Sequence, residues 1–182
     1  MNNQRWAVLI SGRGSTLWRL LEMSNVMNVV LVGTNRLQAR GALRARLAGV
    51  PVLKIGKTED SSSWQNFQTE LVYRRVNRIF LAGFMRIIPE GFLELWKGRI
   101  YNIHPSLLPE FPGLRSAERS YADPSAAMGA TVHQVIADVD AGAVIRQKQA
   151  LAANAKPDAV SAEFLLHVTE QQLLSRVVNQ WM

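Results

Sequence analysis

The sequence contains no cysteine, which excludes disulfide bonds and thiolate metal sites. It also has no apolar run close to the ~18 residues that a membrane-spanning helix needs. Residues 1–14 lack the length and the small-residue cleavage site of a signal peptide. We therefore expect a globular protein of the cytoplasm that does not associate with membranes.

Acidic residues are scarce relative to basic ones. The chain has 14 Asp and Glu against 21 Lys and Arg, and its formal net charge is +7 at pH 7. This balance predicts attraction to anions, whether nucleic acid, phosphorylated metabolites or a polyglutamyl tail. The basic residues are spread along the chain, and no basic stretch is interleaved with aromatic side chains, as single-stranded nucleic-acid binding requires. We expect small-molecule substrates and no nucleic-acid partner.

Strand and helix patterns alternate along the first part of the chain. Short apolar runs at 6–10, 29–34, 52–55 and 78–82 are typical of buried strands, and helical patterns separate them. This alternation predicts an α/β fold with a doubly wound, mostly parallel, Rossmann-like sheet. The 182 residues, 48% of them hydrophobic, are enough for one domain, which we expect to span 1–182.

The pattern changes in the last third of the chain. Segments 129–135 and 144–150 alternate in polarity and predict an antiparallel portion of the sheet. Pro157 could open a final helix that runs to residue 179. We expect the apolar stripe of this helix to comprise Val160, Phe164, Leu165, Val168, Leu173, Leu174 and Val177.

The stretch 99–113 carries the most chemistry. It begins as a strand of β-favouring residues and must stop at Pro105, because proline has no N–H for a sheet ladder. Alternation puts Asn102 and His104 on one face at the carboxyl end of this strand, where open α/β sheets place their active sites. An imidazole transfers protons near neutral pH, and an amide NH2 stabilises a developing oxyanion.

Asp140 lies in the polar connection 136–143 between the two predicted antiparallel strands. Its carboxylate could orient an imidazole or hold a proton-relaying water. With Asn102 and His104 it would suit acyl-type transfer through a tetrahedral intermediate. The alternative is that Asn102 and His104 cap their loop and Asp140 lies in a turn; the residues alone leave both open. We interpret His133 and His167 as structural, and the scattered histidines predict no metal site.

A glycine turn, Ser11-Gly-Arg-Gly-Ser15, follows the first predicted strand, and a predicted helix begins at Thr16. Strand, glycine turn and helix together aim backbone N–H groups and a positive helix end at an anion. Many such turns need glycine only for their geometry. The residues therefore leave phosphate binding and a purely structural turn equally open.

Several motifs resemble those of the formyltetrahydrofolate-dependent formyltransferases. Asn102-Ile-His-Pro-Ser-Leu-Leu-Pro109 is similar to the signature of that family. The following Glu110-Phe-Pro-Gly-Leu114 resembles the branch that formylates glycinamide ribonucleotide in purine biosynthesis. Further stretches match in family order: 8–15 resembles the phosphate loop, 81–87 the folate-facing segment, and 129–133 and 138–142 the segment with the aspartate.

The resemblance implies a role for each matched residue. Asn102, His104 and Asp140 would form the catalytic trio that moves a formyl group, without a metal, from N10 of 10-formyltetrahydrofolate to the amine of a phosphorylated ribosyl substrate. The phosphate would lie against Gly12, Arg13, Gly14 and Ser15. The folate would contact Phe84, Met85, Arg86, Ile87, Val135 and Val139, and Gln171 would face the ribose. We expect a monomer or a homodimer.

The chain departs from the family pattern at a few positions. Arg13 and Thr16 stand where Asn is common, and Gln171-Gln172 replaces a usual Glu-His pair. Gln171 can still hydrogen-bond a hydroxyl, but it carries no charge. These departures leave open a relative that formylates another amine, such as an amino sugar nucleotide, or a non-catalytic folate- or nucleotide-binding module. Formyltetrahydrofolate hydrolysis and methionyl-tRNA formylation are disfavoured, because we expect none of the additional domains of those relatives.

Overall fold

The computed structural model describes residues 4–181, which form seven strands and six helices. The strands are β1 (Arg5–Ile10), β2 (Asn28–Thr34), β3 (Val52–Lys54), β4 (Arg78–Leu81), β5 (Ile100–His104), β6 (Met128–Gln134) and β7 (Val144–Leu151). The helices are α1 (Ser15–Glu22), α2 (Arg40–Leu47), α3 (Ser61–Tyr73), α4 (Glu90–Leu95), α5 (Ser116–Ala122) and α6 (Ala159–Gln180). The strand order is β3-β2-β1-β4-β5-β6-β7. The predicted α/β class, with a mostly parallel sheet and an antiparallel C-terminal portion, is confirmed.

The chain divides into two compact units. The first contains the described residues up to Tyr101, and the second runs from Asn102 to Trp181, so that the boundary falls within β5. The single domain that we expect over 1–182 stays a prediction.

In the first unit, β1 is the central strand. It pairs in parallel with β2 and with β4, so that Ile10 lies beside Thr34 and Leu9 beside Leu81. Residues 7–10 are fully buried, which explains why this strand is a continuous apolar run without alternation. Because parallel strands end at the same edge of a sheet, the segments that follow β1, β2 and β4 all leave the sheet at one edge.

In the second unit, β6 and β7 form an antiparallel pair, and α6 packs on both. The helix begins at Ala159, because the Asp158 side chain accepts the N–H groups of Val160 and Ser161 at 3.1 Å. None of the helices within residues 4–181 is long and apolar enough to span a bilayer.

The expected apolar stripe of α6 is wrong in its first half. Leu173, Leu174 and Val177 are buried as predicted, but Val160 and Phe164 are 78% and 65% exposed and Leu165 is 39% exposed. Instead, Ala162 and Leu166 pack against Met128 of β6. These two residues and Leu173 share one helical face, from which Val160 and Phe164 point away. A small residue, alanine, thus marks the buried face where the larger side chains do not.

Candidate active site

The end of β5 carries the first two residues of the predicted trio. His104 is 5% exposed, and Asn102 is half-buried on the same face of the strand. Pro105 ends the strand as predicted, and the loop that follows is tied to β6. The Thr131 hydroxyl donates to the Ser106 carbonyl at 2.7 Å and accepts the Leu108 N–H at 3.1 Å. These two hydrogen bonds, both within the second unit, fasten the loop to β6.

Asp140 lies beside these two residues. Its Oδ2 is 3.2 Å from Nδ1 of His104 and accepts the Gly113 N–H at 2.8 Å, while its Oδ1 is 3.4 Å from Nδ2 of Asn102. The carboxylate therefore contacts the imidazole, the amide and the loop after β5. The sequence alone leaves open whether these three side chains lie together. The structure places them in contact.

The backbone at Asp140 and Gly142 has an unusual geometry. Asp140 adopts a left-handed conformation with φ of 55°, which is uncommon for a residue other than glycine. Two positions later the chain passes so close to β6 that a Cβ at Gly142 would overlap the Gln134 carbonyl oxygen. Strained backbone of this kind is concentrated at functional sites.

His104 has an acceptor at each ring nitrogen. Nδ1 faces Asp140, and Nε2 lies 3.0 Å from the Phe111 carbonyl. Burial lowers the pKa of His104 below its ordinary value of 6.5, although the Phe111 carbonyl and the Asp140 carboxylate act in the opposite direction. The neutral imidazole therefore predominates at neutral pH, and the acceptors around it would hold a proton that it takes up during a reaction.

Asp140 stays ionised in this site. Burial alone would raise its pKa, but the side-chain contact with His133, the Gly113 N–H and the nearby His104 lower the pKa to about 2. The site thus pairs a permanent carboxylate with an imidazole that can change its charge, which suits proton transfer. Within residues 4–181, no group of three or more His, Asp or Glu side chains is arranged to hold a metal ion.

His133 is the functional candidate that the sequence did not single out. Its Nε2 lies 3.2 Å from Nδ2 of Asn102 and 3.4 Å from Oδ1 of Asp140. A lone histidine on a strand gives no sign of such contacts. Alternation along β6 puts His133 on the same face as Thr131, which binds the loop after β5, but alternation does not reveal the contacts of His133 with Asn102 and Asp140.

The predicted phosphate loop lies in the first unit, between β1 and α1. Gly14 has φ of 71° and precedes the first residue of α1, Ser15. The chain here approaches α2 so closely that a Cβ at Gly14 would lie 2.5 Å from the Gly41 Cα. Gly12 and Arg13 are exposed, and α1 begins without a side-chain cap. Uncapped N–H groups at a helix start are available to an anion.

The predicted folate segment, 84–87, is hydrogen-bonded to the predicted phosphate loop within the first unit. The Met85 N–H donates to the Ser11 hydroxyl at 2.8 Å. The side chains of Met85 and Ile87 are 63% and 69% exposed, Arg86 is exposed and Phe84 is half-buried. In the second unit, Val139 is 61% exposed and Val135 half-buried. Exposed apolar side chains of this size suit contact with an apolar or aromatic ligand.

Gln171 lies on α6, and its side-chain amide nitrogen, Nε2, is buried without a hydrogen-bond partner among the described residues. Its neighbour Gln172 accepts a hydrogen bond from Lys148 of β7. A buried donor without a partner is costly unless a ligand satisfies it.

The sequence of this chain is similar to those of known proteins. The family model described as formyl transferase matches residues 4–178. The trifunctional purine biosynthetic protein adenosine-3 of Drosophila pseudoobscura pseudoobscura is 41% identical over 154 residues, which cover 79% of this chain and 11% of that protein. The phosphoribosylglycinamide formyltransferase of Escherichia coli K12 is 35% identical over 149 residues, which cover 77% and 69%. The chain thus spans only about a tenth of the trifunctional relative.

Solved structures share the fold over most of their length. The phosphoribosylglycinamide formyltransferase of Anaplasma phagocytophilum is 33% identical with a TM-score of 0.86, and the match covers 97% of this chain and 88% of that one. The glycinamide ribonucleotide transformylase 1 of Geobacillus kaustophilus is 30% identical with a TM-score of 0.88, and the match covers 96% of both chains. The chain belongs to the formyl transferase family.

Proposed function

We propose that this protein transfers the formyl group of 10-formyltetrahydrofolate to the primary amine of glycinamide ribonucleotide, a step of purine biosynthesis. The observation that carries the proposal is the buried contact of Asp140 with His104 and Asn102, in a chain of the formyl transferase family. The relatives of similar length are named for this acceptor, which supports the choice of glycinamide ribonucleotide.

The reaction forms one bond and breaks another. The amine nitrogen attacks the formyl carbon, and the formyl oxygen becomes an oxyanion. Collapse of this intermediate breaks the bond between the formyl carbon and N10 of the folate. One proton leaves the amine in total, and one proton is delivered to N10. The site must therefore stabilise negative charge and move one proton.

His104 would transfer the proton, and Asp140 would stabilise its charged form. The neutral imidazole of His104, whose lowered pKa leaves one ring nitrogen without a proton, would take up the amine proton at Nε2 in exchange for its contact with the Phe111 carbonyl. The Asp140 carboxylate, 3.2 Å from Nδ1, would stabilise the cation that forms while Nε2 faces the substrates. This positive charge and an N–H of Asn102 stabilise the oxyanion until the proton passes to N10.

The remaining predicted residues bind the substrates. The N–H groups of Gly12, Arg13, Gly14 and Ser15 would receive the phosphate, since α1 begins there without a side-chain cap. The orphan Nε2 of Gln171 would donate to a ribose hydroxyl. The folate would contact the apolar side chains at 84–87 of the first unit. In the second unit, Val135 and Val139 are the residues predicted to bind it. The substrates are small molecules, and the protein would act in the cytoplasm.

The test is a formyl-transfer assay with purified protein, 10-formyltetrahydrofolate and glycinamide ribonucleotide, in which absorbance follows the loss of the formyl donor. We expect turnover by the wild type and none by Asn102→Ala. Turnover only with another amine, such as an amino sugar nucleotide, would contradict the acceptor. Folate binding without turnover on any amine would indicate a non-catalytic binding module.

A further inference from the structure

His133 contacts two members of the trio, and we propose that it is a positioning residue for Asn102. It accepts one of the two N–H groups of the Asn102 amide and thereby fixes the direction of the other. This inference rests on the proposed function, because a directed N–H matters for a reaction that develops an oxyanion.

The proton on His133 can be placed from its contacts. Nδ1 lies 2.8 Å from the Gln134 carbonyl oxygen, which can only accept, so Nδ1 carries the hydrogen. In the neutral ring Nε2 is then an acceptor, and it lies 3.2 Å from Nδ2 of Asn102. The backbone of β6 thus selects the tautomer of His133, and this tautomer selects the orientation of the amide.

The amide NH2 is planar, so fixing one of its hydrogens fixes the other. Oδ1 of Asp140 lies 3.4 Å from both Nδ2 of Asn102 and Nε2 of His133, so these two acceptors lie on the same side of the amide. The second N–H of the planar amide points away from both acceptors and is the one available to an oxyanion. Without His133 the amide could rotate and present its carbonyl oxygen, which would repel the developing charge.

Burial keeps this arrangement in place. His133 is 1% exposed, so water cannot substitute for Nε2 as the acceptor without opening the core. Its ring centroid is 6.5 Å from that of His104, with the two planes nearly perpendicular. His133 therefore acts through Asn102 and Asp140, and no contact joins it directly to a His104 nitrogen.

Two substitutions separate this role from a structural one. His133→Asn keeps a donor near Nδ1 for the Gln134 carbonyl but loses the acceptor for Asn102. His133→Gln can place its side-chain oxygen near the position of Nε2 and restore that acceptor. His167→Asn, on α6 with a side chain 42% exposed, is the matched control.

We expect His133→Asn to lower kcat about tenfold with KM for both substrates within about twofold, since the lost hydrogen bond matters most in the transition state. His133→Gln should retain kcat within about threefold of the wild type. His167→Asn should leave both constants unchanged. Equal kcat values for His133→Asn and the wild type, or equal losses in His133→Asn and His133→Gln, would overturn the inference.

A measurement on the wild type needs neither variant nor substrate. Nitrogen-15 NMR of the His133 ring at neutral pH should show a protonated Nδ1 and an unprotonated Nε2. The opposite tautomer would overturn the inference even if the variants failed to fold. Absence of turnover by the wild type would contradict the proposed function, whereas normal turnover by both wild type and His133→Asn would contradict only the role of His133.

Discussion

Nδ1 of His104 lies 3.2 Å from Oδ2 of Asp140, and the two side chains are 6% and 10% exposed. The residues come from different parts of the second unit, the end of β5 and the connection between β6 and β7. The same carboxylate oxygen accepts the Gly113 N–H, so that one carboxylate positions both the imidazole and the loop after β5. The proton chemistry of the proposed reaction depends on this contact.

Removing either partner should therefore stop the reaction. We expect Asp140→Asn or His104→Ala to lower kcat by about a hundredfold or more, because acid–base catalysis contributes about that much. Both variants should give the circular dichroism spectrum of the folded wild type. His167→Asn, which removes a histidine paired with Glu170 on α6, is the control and should retain full activity. Normal turnover in either variant would refute the mechanism.

The pH dependence of kcat should report His104. Its pKa lies below 6.5, while that of Asp140 is about 2, so that Asp140 remains ionised while His104 titrates. The neutral ring is the active form, so kcat should fall as pH decreases through the lowered pKa and reach a plateau at higher pH. Steady-state kinetics with saturating substrates measures this profile, and circular dichroism at each pH checks that the protein stays folded. A kcat that rises on acidification would mean that the cation is the active form.

Arg13 should contribute to binding more than to chemistry. Its side chain is exposed within the glycine turn, from which it could form a charge-assisted hydrogen bond to phosphate. Arg13→Ala should raise KM for glycinamide ribonucleotide by about tenfold and leave kcat within about twofold. Lys97→Ala, which removes an exposed partner of Glu94, is the control. An unchanged KM would indicate that the turn binds phosphate through its backbone alone.

Gly142 should tolerate no side chain. Any Cβ there overlaps the Gln134 carbonyl oxygen, which is backbone and cannot move without disturbing β6. Gly142→Ala should displace Asp140 and lower both kcat and the melting temperature. Gly91→Ala is the matched control, because a Cβ at Gly91 would meet nothing within 4 Å and alanine favours the helix α4. Equal melting temperatures and activities for the two variants would show that a Cβ at Gly142 does not displace Asp140.

The sequence predicted the fold well because its signals are local. Buried parallel strands are continuous apolar runs, so their positions along the chain can be predicted from short segments. Pro105 ends β5 because it cannot continue the ladder, and the alternation before it predicts the shared face of Asn102 and His104. The predicted apolar stripe of α6 is wrong in its first half because the small residue Ala162 is buried there, whereas Phe164 is exposed. Hydrophobicity alone therefore does not identify the buried face of this helix.

The contacts of the site required the tertiary structure. Neither the approach of Asp140 to His104 nor the hydrogen bond between His133 and Asn102 has a signature in sequence spacing. Similarly, Gly142 looks like any loop glycine until the neighbouring carbonyl of Gln134 is seen. The resemblance to a known family supplied the trio, but His133 emerged from the geometry alone.

The fate of the formyl group tests the proposed reaction. Purified protein is incubated with glycinamide ribonucleotide and with 10-formyltetrahydrofolate labelled with carbon-13 in the formyl group, and mass spectrometry identifies the labelled product. We predict that the label appears on the amine nitrogen of glycinamide ribonucleotide and that Asn102→Ala abolishes its appearance. Label that remains on the folate, or that is released as free formate, would contradict the proposed function.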